Sequence, residues 1–221
     1  MDLFAIPYFP YLIIALAAVF TAREYVTYHE IIKLKYVFTP LVTAIIAGLV
    51  ILSMHDGGIT TYRVLVLSAL ICSIVADTML MVVEVSLMEQ GIVYFMMGHV
   101  MYIAAFSLDY DFSGWNVAVA SVLLVILAMF YRGIRGAVGK LRIPILVYAV
   151  VLCTMLFFAL SQFNKDFSRK EVLLIVGALL FVMSDFLLAY LSFIKPHRRE
   201  SVIVWAVYAP GQFLIALSCF S

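Results

Sequence analysis

Long apolar stretches separated by short polar breaks run through the whole sequence. Each stretch approaches the ~20 mostly apolar residues that an α-helix needs to cross the hydrocarbon core of a bilayer. The breaks carry charged and turn-forming residues, and Asp56-Gly57-Gly58 is one of the clearest. The pattern predicts an all-α integral membrane protein with helices near residues 5–22, 36–54, 61–84, 91–108, 115–131, 143–162, 171–194 and 201–220. These eight spans use up the chain, so we expect one transmembrane domain over residues 1–221.

Composition strengthens the membrane assignment and excludes other classes of protein. Hydrophobic residues make up 66% of the chain and charged residues 12%, whereas soluble domains are about 45–50% apolar. Mean hydropathy is +1.14. The net charge of +1 is spread over short loops and forms no clustered basic face, so we expect no nucleic-acid partner.

The distribution of Lys and Arg predicts the orientation, because short loops rich in these residues stay in the cytoplasm. Most basic residues follow odd-numbered spans: Arg23, Lys33, Lys35, Arg132, Arg135, Lys140, Arg142, Lys195, Arg198 and Arg199. The opposite face has only Arg63, Lys165, Arg169 and Lys170. Both termini are therefore expected on the non-cytoplasmic side. Small size and short loops favour a bacterial cytoplasmic membrane.

A faint internal repeat relates the two halves of the chain. The third span contains Ala76-Asp77 and the seventh contains Ser184-Asp185, while the following spans contain Gly98-His99 and Gly211-Gln212. Both Asp-bearing spans are odd-numbered and run in the same direction. The sequence thus predicts a parallel four-plus-four arrangement of the kind found in transporters, with chance similarity between apolar helices as the alternative.

Two acids, Asp77 and Asp185, lie within apolar spans. A carboxylate at this depth costs ~2.5 kcal/mol or more, so it should face the bundle interior and have polar partners. The predicted orientation places both acids in the cytoplasmic half, where they could meet. Ser73 and Glu84 fall on the same helix face as Asp77, although Glu84 also suits an interfacial charge. A purely structural hydrogen-bonding role is the alternative for both Asp residues.

Other polar side chains in the spans are candidates to surround the acids. His99 has Tyr102 three residues later on the same helix face, and a lone buried His is more often a core residue than a ligand. The other histidines lie in loops, so no metal site is expected, since three or four ligands must converge. The alternative is a metal held by Asp77, Asp185 and His99 together. The remaining candidates are Tyr148, Ser184, Tyr208 and Gln212.

Four sequence strings together resemble the YhhN-like lysoplasmalogenase family. They are Ser73-Ile74-Val75-Ala76-Asp77-Thr78-Met79-Leu80, Gly98-His99-Val100-Met101-Tyr102-Ile103-Ala104-Ala105-Phe106, Phe181-Val182-Met183-Ser184-Asp185, and Tyr208 with Gln212. The resemblance runs from about residue 36 to the end. This chain has Ala76 where the family usually has Gly, and Thr39 where it often has Lys before the proline.

The resemblance implies a hydrolase, without a cofactor, that cleaves the vinyl ether bond of lysoplasmalogens to a fatty aldehyde and a glycerophospho-alcohol. Asp77 and Asp185 would be the catalytic pair, one donating a proton and the other stabilising a cation and activating water, as the two acids of glycosidases do. Their order is left open. Substrate binding would fall to His99, Tyr102, Tyr148, Ser184, Tyr208, Gln212 and Ser73.

The expected partner is a lysophospholipid that reaches the site from the bilayer, surrounded by membrane lipids. Its phosphate would lie near the basic cytoplasmic rim, for example at Arg142, Lys35 or Arg198, although the orientation rule alone also explains those charges. The alternative function is a proton-coupled small-molecule transporter using the same acids. A hydrolase of another lipid also fits, but the sequence has no Gly-x-Ser-x-Gly elbow. The oligomeric state is not predicted.

Overall fold

A computed structural model of the chain describes residues 3, 6–82, 87–164 and 168–220. Within these residues the chain forms helices and no strand, which confirms the all-α prediction. The helices are α1 (Phe9–Tyr28), α2 (Ile32–Gly57), α3 (Thr61–Met81), α4 (Met88–Phe106), α5 (Gly114–Ile134), α6 (Arg142–Leu160), α7 (Arg169–Ala189) and α8 (Glu200–Leu217).

The helices have the length and hydropathy of membrane spans. Seven regions in the described part of the chain, which include every helix except α4, are long and apolar enough to cross a bilayer. α4 is less apolar because it carries Glu89, Gln90 and His99. The protein is therefore a multi-pass integral membrane bundle, as its sequence predicts.

The first helix extends beyond its predicted end at residue 22. α1 continues to Tyr28, so Arg23 lies within the helix and not in a loop after it. Its side chain is fully buried, because Ser201 and Trp205 of α8 pack around the guanidinium. Glu84 and Lys165, which the sequence singled out, lie outside the described residues.

Small residues let neighbouring helices approach closely, as is usual where helices associate in membranes. At Gly211 on α8, an added Cβ would lie 2.9 Å from the backbone nitrogen of Phe181 and 3.0 Å from the carbonyl oxygen of Gly177, both on α7. At Gly98 on α4, it would lie 3.1 Å from the carbonyl oxygen of Ala69 on α3. The pairs α3–α4 and α7–α8 are thus held in tight contact beside the acidic residues.

Candidate active site

Two cavities lie beside the acids and share part of their walls. The apolar cavity, of about 420 Å³, is lined by Met79, Leu80, Val82, Leu87, Met88, Ile92, Phe95, Phe130, Ile145, Tyr148, Ala149, Leu152, Asp185, Phe186, Leu188, Ala189, Ser192, Phe193 and Glu200. The polar cavity, of about 330 Å³, is lined by Arg23, Lys35, Thr39, Asp77, Leu80, Met81, Phe95, Asp185, Leu188, His197, Arg198, Glu200, Ser201, Val204, Trp205 and Tyr208. Both volumes are in the range of small-molecule sites. Asp185 lines both cavities, and Asp77 lines the polar one.

Asp77 projects from the last part of α3 into a buried polar cluster. Its side chain is only 5% exposed. The Thr43 hydroxyl of α2 donates a hydrogen bond to Asp77 Oδ2 at 2.8 Å, and the Tyr208 hydroxyl of α8 donates to the same oxygen at 3.1 Å. Burial without such donors would be costly for a carboxyl group, so α2 and α8 together stabilise its position.

Asp185 projects from α7 and is also nearly buried, at 8% exposure. The Tyr148 hydroxyl of α6 donates a hydrogen bond to Asp185 Oδ2 at 2.6 Å. His99 Nε2 of α4 lies 3.6 Å from the same oxygen. The Phe181 ring packs edge-to-face against the His99 ring, with 4.9 Å between the two ring centres. Asp185 therefore has one firm donor and one imidazole nitrogen beside it.

The hydrogen bonding of His99 fixes which ring nitrogen carries a proton. Nδ1 lies 2.5 Å from the carbonyl oxygen of Phe95 one turn earlier. Because a carbonyl oxygen only accepts hydrogen bonds, Nδ1 must be the donor. In the neutral ring Nε2 is then an acceptor that faces Asp185, and it makes no hydrogen bond within the described residues. Nε2 lies 3.6 Å from Asp185 Oδ2, which is beyond the range of a direct hydrogen bond.

A chain of hydrogen bonds lies behind Tyr208. Gln212 Nε2 donates to the Tyr208 hydroxyl and to Ser73 Oγ, both at 3.1 Å. The Tyr102 hydroxyl donates to Gln212 Oε1. Gln212 therefore orients Tyr208, which in turn contacts Asp77.

The two acids are held in matching ways. Asp77 on α3 receives a hydroxyl from α2 and one from α8, and Asp185 on α7 receives a hydroxyl from α6 and faces His99 on α4. If α1–α4 and α5–α8 are repeats, each acid uses the preceding helix of its own half and the last helix of the other half. The contacts support the parallel four-plus-four repeat, which remains a prediction.

The predicted site residues fall into two groups: some line the cavities, and the others lie outside the cavity walls. Asp77, Asp185, Tyr148 and Tyr208 line the cavities, and His99 contacts Asp185. Neither cavity is lined by His99, Ser73, Tyr102, Ser184 or Gln212. Ser73 and Tyr102 belong to the chain of hydrogen bonds at Gln212, whereas the Ser184 hydroxyl donates to the carbonyl oxygen of Phe181 in its own helix at 2.6 Å.

Sequence reasoning missed Thr43 and Arg23. A threonine in an apolar span commonly bonds its own helix backbone, so no local signal distinguishes Thr43 as a partner of Asp77. Arg23 was assigned to a loop, because the residues around it are polar. The feature that could have indicated a buried Arg23 is its position directly after an apolar run, because α1 continues beyond that run to Tyr28.

Basic residues line the wall of the polar cavity, although not all the expected ones. Lys35 and Arg198 line it, and Arg142 lines neither cavity. Arg198 Nε donates to Glu30 Oε1 at 2.7 Å, and this hydrogen bond lowers the pKa of the exposed Glu30 carboxyl. In the described part of the chain, no three His, Cys, Asp or Glu side chains form a group that could hold a metal ion.

Comparison with known proteins identifies the family. The chain is 32% identical to lysoplasmalogenase TMEM86B of Sus scrofa over 153 residues, which cover 68% of this chain and 61% of that protein. It is 28% identical to lysoplasmalogenase TMEM86B of Homo sapiens over 176 residues, or 78% of this chain and 70% of that protein. The match thus spans less than two thirds of the pig protein.

No solved structure shows significant similarity to the chain. The sequence profile of the YhhN family matches residues 34–219, from the start of α2 to the end of the described fold. The resemblance carried by the Asp77 and Asp185 strings is thereby confirmed, and the chain belongs to the YhhN family.

Proposed function

We propose that this chain is a membrane hydrolase that cleaves the vinyl ether bond of lysoplasmalogens, releasing a fatty aldehyde and a glycerophospho-alcohol. The names of the two mammalian relatives support this substrate class. The observation that carries the proposal is the position of two buried carboxyl groups where an apolar cavity adjoins a polar one. A lysoplasmalogen is likewise apolar at one end and polar at the other, because its vinyl ether joins an apolar chain to a polar headgroup.

In this proposal the substrate lies across the boundary between the two cavities. Its alkenyl chain occupies the apolar cavity, which Ile145, Ala149 and Leu152 of α6 line on one side. Its glycerophosphate occupies the polar cavity near Lys35. The vinyl ether then lies beside Asp185, which lines both cavities, with Asp77 on the headgroup side.

Hydrolysis of a vinyl ether begins with protonation of the carbon that is two bonds from the ether oxygen. We assign this proton transfer to Asp185, because it alone of the two acids reaches the apolar cavity that holds the chain. Burial in a low-dielectric bundle favours the neutral form of a carboxyl group. Asp77 accepts hydrogen bonds from two hydroxyl groups and Asp185 from one, and such donors favour the ionised form, so we assign the ionised role to Asp77 and the acid role to Asp185.

The resulting oxocarbenium ion is stabilised by the ionised Asp77 and is attacked by water from the polar cavity. Asp77 takes a proton from this water and a hemiacetal forms. Asp77 then returns a proton to the glycerol oxygen as the carbon–oxygen bond breaks, and the hemiacetal hydroxyl gives its proton to Asp185. One water is consumed, and both acids regain their starting states.

The surrounding hydroxyl groups act on the acids. Tyr148 donates to Asp185, and Thr43 and Tyr208 donate to Asp77. Such donors stabilise a carboxylate, and hydrogen bonds to charged groups contribute ~1.5–3 kcal/mol. Gln212, Ser73 and Tyr102 position Tyr208 from behind, and Ser184 has no contact with the proposed substrate path.

We propose that the headgroup side of the site faces the cytoplasm, with both termini outside and a bacterial cytoplasmic membrane as the location. The support is the basic residues Lys35 and Arg198 in the wall of the polar cavity, on the face that the orientation rule assigns to the cytoplasm. Cysteines introduced at Lys195 and at Arg169 should be labelled from opposite sides of intact cells. Labelling of both from one side would contradict this orientation.

The direct test is aldehyde release from an alkenyl lysophospholipid by purified protein in detergent. Asp77→Asn and Asp185→Asn should each lower turnover by about 100-fold or more, the usual contribution of general acid or base catalysis. Asp56→Asn, a change of the same kind at an exposed helix end, is the matched control and should retain activity. Full activity in either site variant would overturn the assignment.

The alternative of a proton-coupled transporter is tested in the same material. It predicts proton or solute flux in sealed vesicles without any aldehyde. In D₂O, the hydrolytic mechanism places one deuterium on the second carbon of the released aldehyde, because that carbon receives the proton from Asp185. Aldehyde without this deuterium would contradict the proposed first step.

A further inference from the structure

Arg23 is a buried cation in the wall of the polar cavity, and the proposed chemistry does not use it. Its side chain is 0% exposed. Nη1 donates to Glu24 Oε1 at 2.6 Å and to the carbonyl oxygen of Ser201 at 3.1 Å, and Nη2 donates to Ser201 Oγ at 2.6 Å. The guanidinium lies 4.2 Å from the centre of the Trp205 ring. These contacts hold the group in one orientation.

Two donors in this wall have no partner among the described residues. Arg23 Nε and Thr39 Oγ1 are buried and make no hydrogen bond there. Both residues line the polar cavity. A buried donor without a partner costs ~1–3 kcal/mol, and a charged residue inside a membrane protein commonly marks a functional site. The cavity wall is therefore incomplete without a ligand.

The remaining polar groups indicate which kind of ligand completes it. The three carboxyl groups of the cavity each accept a hydrogen bond already: Asp77 from Thr43 and Tyr208, Asp185 from Tyr148, and Glu200 from Ser192. Lys35 also lines the cavity, and no hydrogen bond or ion pair of its side chain occurs within the described ranges. The groups of this wall without a partner in the described part of the chain, Arg23 Nε, Thr39 Oγ1 and the Lys35 ammonium, are donors. Arg23 is already paired with Glu24, so Lys35 is the charge left to be balanced, and the ligand should be rich in acceptors and negatively charged.

We propose that Arg23, Thr39 and Lys35 form the binding site for the phosphodiester of a lysophospholipid. The guanidinium supplies a fixed positive charge and its free Nε–H, and Thr39 and Lys35 supply further donors. Phosphate and guanidinium are well matched in charge and geometry. This inference rests on the proposed function for its substrate class. It adds a binding role for α1, which lies before residues 34–219 of the family match.

The test measures binding without hydrolysis. The probes are a saturated hexadecyl-ether lysophospholipid, hexadecylglycerol of the same chain length, and inorganic phosphate alone. Trp205 lies against Arg23 and lines the polar cavity, so its fluorescence reports binding there. Trp115→Phe removes the other tryptophan of the chain and serves as the background for every variant. Both lipids are used at equal mole fraction in detergent micelles.

The parent protein should bind the lysophospholipid at least about tenfold more tightly than hexadecylglycerol, as expected for one charge-assisted contact. Arg23→Gln should remove most of this preference while leaving hexadecylglycerol binding unchanged. Thr39→Val should reduce the preference less, because it removes a neutral donor. Arg132→Gln removes the same charge from an exposed position on α5 that lines neither cavity and should have no effect.

Each result has a defined meaning. Equal binding of the two lipids by the parent protein, or equal weakening of both by Arg23→Gln, would overturn the phosphate site. If Arg23→Gln does not fold, the same comparison is made with Thr39→Val and Lys35→Gln, which should each reduce the preference for the lysophospholipid over hexadecylglycerol. Competition by inorganic phosphate would show that the site recognises the free anion as well as the lipid. Preference for the lysophospholipid without aldehyde release would refute the proposed hydrolysis and leave the phosphate site standing.

Discussion

Gly211→Ala tests whether the contact between α7 and α8 positions the site. Gly211 directly precedes Gln212 and lies three residues after Tyr208. An alanine Cβ would lie 2.9 Å from the backbone nitrogen of Phe181 and 3.0 Å from the carbonyl oxygen of Gly177. Normal contacts of a carbon atom are ~3.5–4.0 Å. Because both obstructing atoms belong to the backbone, no side-chain rotation relieves the clash, and α8 must move away from α7.

The size of the effect follows from these distances. We expect a shift of α8 by about 0.5 Å to disturb the 3.1 Å hydrogen bond from Tyr208 to Asp77, because such bonds weaken beyond about 3.2 Å. Overpacking of this kind costs ~1–3 kcal/mol of stability. Loss of a hydrogen bond to a charged group, at ~1.5–3 kcal/mol, lowers turnover by about 10- to 100-fold if it is made mainly in the transition state.

The assay combines thermal unfolding in detergent with aldehyde release under saturating substrate. Gly48→Ala is the matched control, since its added Cβ on α2 meets nothing within 4 Å. It should leave activity unchanged and stabilise the protein by ~0.5–1 kcal/mol, because alanine favours a helix interior. A Gly211→Ala protein with the melting temperature and turnover of the parent would refute the proposed role of this contact.

Three further substitutions test separate parts of the site. Tyr148→Phe removes the hydroxyl that donates to Asp185 and should lower kcat by about 10- to 100-fold with little change in KM; a change confined to KM would show that Tyr148 only binds substrate. Ser184→Ala should keep activity within about twofold, because its hydroxyl bonds its own helix, and a large loss would show a missing contact in the proposed site. Ala149→Phe narrows the apolar cavity and should shift preference toward shorter alkenyl chains in a competition assay, whereas an unchanged chain-length profile would place the chain elsewhere.

Most of the fold could be predicted from hydrophobicity, since each apolar run became a helix. The main error lay at α1, where polar residues near its end suggested a loop. The helix continues because Ser201, Glu24 and the Trp205 ring hold the two terminal nitrogens and the face of the Arg23 guanidinium inside the bundle. Such compensation comes from α8, about 180 residues away, and cannot be inferred from the local pattern.

The site could be predicted only in part. Asp77 and Asp185 could be recognised from the sequence because a charged side chain is costly inside a membrane. That cost is evident from the apolar span alone, without knowledge of the partner residue. The groups that contact them are ordinary in apolar spans. Thr43 and Ser184 both carry a buried hydroxyl, yet Thr43 donates to Asp77 and Ser184 to its own helix. Only the packing of α2 against α3 distinguishes the two.

The paired support of the acids makes the site sensitive to the membrane itself. Asp77 depends on a hydroxyl from α8, and Asp185 faces an imidazole from α4, so each is completed by a helix from the opposite half of the chain. Any strain that separates the halves would disturb both acids together. Lateral tension or a change of bilayer thickness could therefore reduce turnover even when every side chain and the supply of lipid are unchanged.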